Sequence, residues 1–221
     1  MGETEETGVA AQPRRLLRVD LTRGEVSTET VPKRHRERFL AGKGLGAAVL
    51  SDDLAPGADP LSPANELLFL LGPLTGYAPG TSRYAAVTKS PLTGAFVDSY
   101  SGGRFPSLLR FALPECLGVV FEGRSAEPVS LHVAEGEAWL EDATHLWGLD
   151  TAETAREFRG HDTETAVIGP AGENLVRFAT IASDEATHHA GRGGVGALMG
   201  SKRLKAVVAT SSSSPTRTRP C

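Results

Sequence analysis

A short series of motifs occurs twice in this chain, in the same order, and it limits the fold more than any other feature of the sequence. Each series contains a Gly-Pro turn, a strand that begins with Arg and an aromatic residue, a glycine-rich loop, a helix and an apolar strand. The segments are 72–76, 83–87, 101–103 and 117–121 in the first half, and 169–172, 177–181, 190–194 and 204–208 in the second. Duplication of one unit predicts a domain with pseudo-twofold symmetry and two equivalent glycine-rich loops. The alternative is a coincidence among common GP and GG dipeptides.

Apolar and β-branched runs bounded by Gly, Pro, Ser and Asn predict many short strands. The predicted strands are 67–71, 84–88, 117–121, 129–133, 165–168, 175–181 and 204–209, after a β-hairpin of residues 16–21 and 25–31. Helices are predicted at about 104–112, 151–159 and 194–200, and over 34–53 with a middle softened by glycines. Strands and helices do not alternate regularly. The pattern therefore predicts an α+β fold rather than a doubly wound parallel sheet.

Length and charge set the broad class of the protein. The 221 residues suffice for one domain, which we place at residues 14–209, between a disordered leader (1–13) and a disordered Ser-rich tail (210–221). A net charge of −4 gives no reason to expect a nucleic acid or an anionic membrane as partner. The acidic N-terminus lacks a signal-peptide core, and no apolar run has transmembrane length. We expect a cytoplasmic protein without a membrane partner.

The cysteines and histidines offer few candidates for side-chain chemistry. Cys116 and Cys221 are far apart and no CxxC pair is present, which argues against a zinc site or an iron–sulfur cluster held by this chain alone. Cys116 precedes an apolar strand and is expected to be a buried structural thiol. Side-chain metal ligation by the pair 188–189 is disfavoured, because adjacent residues rarely converge on one ion.

The loop at 191–196 matches the pattern GxGxxG, which in the right context binds dinucleotides. That context is a preceding strand, a βαβ unit and an acidic residue about twenty positions later. The preceding segment 184–189 is a poor strand, and no Asp or Glu follows Gly200. The sequence therefore does not predict a dinucleotide-binding fold.

Glycine-rich turns that open helices can nevertheless bind anions, because they present backbone N–H groups beside a positive helix end. The loops at 101–103 and 191–194 meet this description, and Arg83, Arg104 and Arg192 lie in or beside the same segments. Arginine side chains bind phosphate in a bidentate manner. Alternatively, the glycines only form turns and the arginines are surface charges.

Several longer motifs, taken together, resemble a known family. They are GPLTG at 72–76, RY at 83–84, VTKSPLTG at 87–94, SGG at 101–103, IGPAGENLV at 168–176, AGRGGVG at 190–196 and MGSK at 199–202. In order and spacing they resemble the N-terminal domain of tungsten-dependent aldehyde:ferredoxin oxidoreductases. The resemblance extends over about residues 15–209.

This resemblance implies an internally duplicated α+β domain with two β-sheets and flanking helices, shaped as a saddle for a pterin cofactor. In the family the saddle holds two pterin dithiolenes around one tungsten or molybdenum, and magnesium bridges the pterin phosphates. A 4Fe-4S cluster passes electrons to ferredoxin while an aldehyde is oxidised to the carboxylic acid. The cluster cysteines and the catalytic residues belong to later domains. We therefore expect no catalytic residue here and a cluster-binding, C-terminal-type polypeptide as partner.

The resemblance also implies which residues contact the cofactor. The expected cofactor-binding residues are Arg83, Ser101, Gly102, Gly103, His188, Gly191, Arg192 and Gly193. Tyr100 and His189 are expected to offer backbone carbonyls to magnesium. Tyr100 replaces the usual asparagine of the family, and His188-His189 replaces Arg-Ala.

The sequence leaves three hypotheses open. In the first, the chain is a component of the enzyme, and a cluster-bearing polypeptide must cover its cofactor, because an exposed cofactor would meet water and oxygen. Alternatively it is a non-catalytic module that binds a pterin cofactor. The third hypothesis is a degenerate copy without a ligand, which the changes at Tyr100 and His188 would favour.

Overall fold

Two six-stranded sheets form the fold in the computed structural model, which describes residues 15–212. Sheet A contains β1 (Arg15–Asp20), β2 (Glu25–Thr30), β3 (Leu67–Leu71), β4 (Tyr84–Lys89), β5 (Phe96–Ser101) and β6 (Cys116–Glu122). Sheet B contains β7 (Val129–Ala134), β8 (Glu137–Asp142), β9 (Thr163–Val167), β10 (Ile181–Ser183), β11 (His188–Ala190) and β12 (Leu204–Thr210). Both sheets are mixed and carry flanking helices, so the predicted α+β class is confirmed.

Six α-helices connect these strands within residues 15–212. They are α1 (Lys33–Arg36), α2 (Gly42–Asp53), α3 (Phe105–Ala112), α4 (Thr151–Glu157), α5 (Pro170–Glu173) and α6 (Val195–Ser201), and a 3₁₀ turn spans Thr144–Leu146. Helix α4 begins with a capping box, in which Asp150 accepts from the Glu153 N–H at 2.7 Å and Glu153 accepts from the Asp150 N–H at 2.9 Å. In this part of the chain, none of the helices combines the length and apolar character needed to span a bilayer.

The strand order confirms the duplication. Sheet A has the order β2-β1-β6-β3-β4-β5 and sheet B the order β8-β7-β12-β9-β10-β11, so each strand has its counterpart six strands later in the chain. The β1–β6 and β7–β12 pairs are both parallel, and each contains a register shift. Helix α3 lies between β5 and β6 as α6 lies between β11 and β12.

One buried core joins the two halves. Phe69, Tyr84 and Phe105 of the first half and Ile181 and Leu198 of the second belong to the same cluster of buried side chains. The rings of Phe69 and Tyr84 are 4.9 Å apart, and those of Tyr84 and Phe105 are 5.4 Å apart. These spacings allow favourable tilted and edge contacts between the rings. The position of each half is therefore fixed by packing against the other.

The prediction of one softened helix over 34–53 is wrong. The segment forms α1 and α2, separated by residues 37–41, and the glycines lie inside α2. Gly46 faces sheet A so closely that a Cβ atom would lie 2.8 Å from Leu70 Cδ1 and 3.0 Å from Val87 Cγ1. Glycine at this position lets the helix approach the sheet, since any side chain would collide with it.

The strand predicted over 175–181 is also wrong, because only Ile181 of that range belongs to a strand. Leu175 has a φ of +58°, a left-handed conformation that ends extended structure. The sequence also missed β5, β8 and β11. These strands lie at or next to a solvent-exposed sheet edge and contain many polar residues, so they lack the apolar pattern that marks a buried strand. The predicted leader lies outside the described residues, as does the tail beyond Ser212.

A dense charge cluster surrounds Arg18 on β1. Its guanidinium donates to Glu66 Oε1 at 3.0 Å and to Glu122 Oε2 at 3.1 Å, and it also contacts the carboxylates of Glu29 and Asp53. The Glu66 side chain is buried, and its Oε2 atom has no hydrogen-bond partner among the described residues. Burial raises the pKa of Glu66 to about 7, although the charge of Arg18 opposes this rise.

This raised pKa predicts a pH-dependent stability. The folded state holds the Glu66 proton more tightly than the unfolded chain, whose pKa is near the ordinary 4.5. The free energy of unfolding should therefore fall as pH rises from about 4.5 to about 7, by on the order of 3 kcal/mol. Glu66→Gln should remove this part of the slope in urea titrations between pH 5 and 8. If the free energies of unfolding of wild type and Glu66→Gln change equally with pH, the pKa of Glu66 is not raised.

Candidate functional site

Each of the two glycine-rich turns lies against the other half of the molecule. Turn 1 (residues 101–103) leads from β5 into α3, and turn 2 (residues 191–194) leads from β11 into α6. Ser101 Oγ lies 2.8 Å from Ser183 Oγ of β10, and the Arg192 N–H donates to Ser99 Oγ of β5 at 2.9 Å. Each turn is therefore held by a hydroxyl group of the other half.

A cavity of about 400 Å³ opens beside these turns. It is lined by Gly80, Ser82, Arg83, Tyr100, Ser101, Gly102, Gly103, His188 and His189. Turn 1 and the predicted histidines thus share one wall, whereas Gly191, Arg192 and Gly193 lie next to it along the chain and do not line it. The sequence did not single out Gly80 and Ser82, which end the loop between β3 and β4.

The glycines of the turns fall into two kinds. Gly103 has a φ of +85° and a Cβ atom there would lie 1.6 Å from Asp184 Oδ2, while Gly193 has a φ of +66° and its Cβ would lie 2.5 Å from Val97 Cγ2. Both residues are glycine because of the fold itself. At Gly102 the nearest atoms would be 3.5 Å from a Cβ, and at Gly191 the nearest would be 3.7 Å away. Neither folding nor packing requires glycine at these two positions.

Side chains of one half hold the turn of the other. Ser90 Oγ donates to the carbonyl of Gly193 at 2.7 Å, which ties turn 2 to the first half. The Phe105 N–H donates to Asp184 Oδ1 at 2.9 Å, and the Arg104 N–H also donates to the Asp184 carboxylate. Turn 1 therefore does not offer the N–H groups of Arg104 and Phe105 to an anion, because a carboxylate of the protein already accepts from them.

The three arginines near the turns differ in their partners. Arg104 Nη1 donates to Glu164 Oε1 at 3.0 Å, so this cation is already paired. Arg83 and Arg192 are exposed, and neither side chain forms an ion pair with any residue of 15–212. Arg83 lines the cavity, so its guanidinium is available to an anionic ligand there.

The histidine pair lies on β11, opposite β10. His188 Nδ1 is 3.0 Å from Thr187 Oγ1 and 3.8 Å from Asp184 Oδ2, and His189 Nδ1 is 3.2 Å from Thr180 Oγ1. No group of three or more His, Cys, Asp or Glu side chains within the described range could hold a metal ion. The proposed contact of His189 with magnesium through its backbone carbonyl stays a prediction.

Two buried titratable groups of sheet A, one on β4 and one on β6, keep their protons near neutral pH. The Tyr84 side chain is 1% exposed beneath turn 1, and burial raises the pKa of its hydroxyl, with Ser101 and Asp184 as polar neighbours. Burial also raises the pKa of the Cys116 thiol to about 11. A thiol of this kind stays protonated near neutrality and is a poor nucleophile, which confirms the prediction of a buried structural cysteine.

Comparison with known proteins adds the family. The family model described as aldehyde ferredoxin oxidoreductase, N-terminal domain, matches residues 16–211. The tungsten-containing aldehyde ferredoxin oxidoreductases of Pyrococcus furiosus and Thermococcus kodakarensis are 42% and 44% identical to the chain over 198 residues, covering 87% of it and 32% of each relative. The solved active site complex BamBC of benzoyl coenzyme A reductase with 1,5-dienoyl-CoA is 37% identical, with a TM-score of 0.84 over 90% of this chain and 31% of that chain.

These similarities define the class of protein as an oxidoreductase family, since the matched relatives are oxidoreductases. The solved structure shares the fold of two mixed sheets with flanking helices. The chain belongs to the aldehyde ferredoxin oxidoreductase family and corresponds to the N-terminal domain of its members. It spans about a third of the length of the curated relatives that it matches.

Proposed function

We propose that the chain is the pterin-binding part of a tungsten- or molybdenum-containing aldehyde:ferredoxin oxidoreductase. The complete enzyme would oxidise an aldehyde to the carboxylic acid and pass the electrons through a 4Fe-4S cluster to ferredoxin. One observation carries the proposal: each turn contains a glycine, Gly102 in turn 1 and Gly191 in turn 2, that has no conformational or packing reason to be glycine. The tungsten-containing relatives support the choice of metal.

The residues around the cavity suit a large anionic cofactor. Alanine at Gly102 or Gly191 would meet only ordinary van der Waals distances from the protein, so the missing side chains leave room for a ligand. Close approach of a ligand to the backbone is a common reason for glycine at such positions. Arg83 and Arg192, which are exposed and without ion pairs among the described residues, add positive charge on this side. The donor set therefore fits a phosphate-bearing pterin.

Each residue of the site has a proposed role. Arg83 supplies a fixed cation next to the cofactor, and Arg192 supplies a second one. Ser101, Gly103 and Gly193 shape the turns, and His188 takes a place where the family usually has arginine. The backbone carbonyls of Tyr100 and His189 would bind magnesium. When bound, the metal–pterin group supplies the redox chemistry, while these residues bind and orient it.

The open cavity requires a covering partner. Its walls face solvent at Arg83, Tyr100 and His188, so a redox cofactor held there would be accessible to water and oxygen. We propose that a cluster-bearing polypeptide of the C-terminal type covers this face and completes the enzyme in the cytoplasm, with ferredoxin as electron acceptor.

Replacement of Arg83 tests this proposal. In the complex produced together with the cluster-bearing polypeptide, Arg83→Ala should lower the pterin and metal retained, or the rate of electron transfer, by about tenfold, because a charge-assisted contact is lost. Arg23→Ala is the matched control. Its side chain is 72% exposed in the β1–β2 hairpin, at the other edge of sheet A from β5.

The outcomes of this experiment distinguish the hypotheses that the sequence left open. Equal pterin content and equal rates in Arg83→Ala and wild type would remove the proposed role of Arg83. Bound pterin without electron transfer in the wild-type complex would favour a non-catalytic pterin module. A folded complex without pterin or metal would contradict the proposed function altogether.

A further inference from the structure

We propose that Asp184 is a positioning residue that sets the shape of the cofactor site by locking turn 1 to the second half of the molecule. The inference rests on the proposed function for the identity of the ligand alone. The lock itself consists of contacts within residues 15–212.

The carboxylate of Asp184 joins two distant parts of the chain. Asp184 follows β10 directly, and its side chain is only 12% exposed. Phe105 donates its N–H to Oδ1 at 2.9 Å, across 79 positions of sequence, and Arg104 donates its N–H to the same carboxylate. Both donors belong to the start of α3, where a negative charge also interacts favourably with the helix dipole.

Turn 1 and the carboxylate depend on each other sterically. Gly103 adopts a φ of +85°, and a Cβ atom at this position would lie 1.6 Å from Asp184 Oδ2. The carboxylate therefore fills the space that any other residue at 103 would occupy. A parallel hydrogen bond between Ser101 Oγ and Ser183 Oγ, at 2.8 Å, fixes the other end of the turn to the same strand β10.

The contacts of Asp184 also affect the wall of the cavity. Turn 1 contributes Ser101, Gly102 and Gly103 to the cavity, and β11 contributes His188 and His189. Strand β11 pairs with β10, and the short turn between these strands begins at Asp184. Asp184 thus determines how far apart the two contributions to the wall lie. If its carboxylate is removed, the α3 start loses its acceptor and the wall can open.

Turn 2 is held in a different way. The N-cap of helix α6 is Gly194, in the left-handed conformation, and no side chain of residues 15–212 caps this helix. Turn 2 is tied instead by the hydroxyl of Ser90, which donates to the carbonyl of Gly193 at 2.7 Å. The carboxylate lock is therefore a feature of turn 1, imposed from the second half, and it breaks the pseudo-twofold symmetry at the site.

The experiment compares Asp184→Ala and Asp184→Asn with Asp150→Ala. Asp150→Ala is a matched control because it also removes a carboxylate that accepts from a backbone N–H at a helix start, in this case α4. Amide hydrogen exchange is measured on the cofactor-free chain, and pterin and metal per chain are measured on the complex produced with the cluster-bearing polypeptide.

In Asp184→Ala we expect exchange at residues 101–105 to rise by about tenfold, since the lost contacts resemble those of a helix N-cap. Retained pterin should fall by about the same factor. Asp184→Asn should recover part of both, because its amide oxygen can still accept one N–H. Asp150→Ala should accelerate exchange near α4 only and leave the pterin content unchanged.

Unchanged exchange at 101–105 in Asp184→Ala would overturn the proposed lock, whatever the pterin content. An equal loss of pterin in Asp150→Ala would also overturn it, because the effect would then follow general destabilisation. Absence of pterin from the wild-type complex would instead contradict the proposed function, and the exchange result would still decide the role of Asp184.

Discussion

Replacing Lys205 with methionine is expected to lower the free energy of unfolding by about 3–5 kcal/mol, because it leaves a buried carboxylate without its partner. Lys205 on β12 is fully buried, and its Nζ donates to Glu173 Oε1 at 2.5 Å and to the carbonyl of Leu149 at 2.9 Å. The Glu173 side chain is 4% exposed. Its Oε2 accepts from the Gly148 N–H at 2.9 Å, so the carboxylate cannot turn towards solvent without a further loss.

Urea denaturation at pH 7 measures this effect, and a second variant separates its causes. The double replacement Lys205→Met and Glu173→Gln should be more stable than Lys205→Met alone, because no buried charge then remains unpaired. A loss below about 1 kcal/mol in the single variant, or no recovery in the double variant, would contradict the importance of the pair.

Alanine at Gly103 should lower the stability of the fold, whereas alanine at the neighbouring Gly102 should lower the retention of pterin. Gly103→Ala should lower the free energy of unfolding by about 3 kcal/mol, since it combines a left-handed φ of +85° with a collision against Asp184. Gly102→Ala should change stability by less than about 1 kcal/mol, because the site has room for a methyl group and no left-handed φ. If the proposed ligand occupies that room, Gly102→Ala should reduce pterin retention by about tenfold or more.

Turn 2 offers the same comparison in Gly193→Ala and Gly191→Ala. Gly193→Ala should destabilise the fold, because the added Cβ atom would collide with Val97. Gly191→Ala should leave the fold intact and weaken pterin retention. Thermal unfolding and pterin analysis on the same preparations measure both effects. Normal pterin content in both Gly102→Ala and Gly191→Ala would show that these glycines do not face a cofactor.

Local patterns in the sequence predicted the architecture well, for a physical reason. Apolar strands such as β3 and β6 are buried on both faces, so their composition identifies them without any tertiary information. The repeated order of turn, strand, loop and helix predicted the duplication, which the strand order of the two sheets confirms. The edge strands β5, β8 and β11 escaped prediction, because they carry many polar residues in contact with solvent and so lack an apolar pattern.

The residues that hold the site together were beyond sequence reasoning. Ser183 and Asp184 act on Ser101 and Phe105 across about eighty positions, and no local motif marks either residue. The same holds for Ser90, whose hydroxyl reaches Gly193 across 103 positions. The family resemblance led to the turns themselves, whereas the contacts between the halves depend on how two separate sheets pack.

We propose that the glycine turns of the two halves hold a metal–pterin cofactor. The most direct test of this proposal is the pterin and metal content of the chain, purified together with the cluster-bearing polypeptide and measured by native mass spectrometry and elemental analysis. We predict a pair of pterins with a single tungsten or molybdenum per chain in the wild type, and their loss in the Gly102→Ala, Gly191→Ala double variant. A folded wild-type complex that contains neither pterin nor metal would contradict the claim.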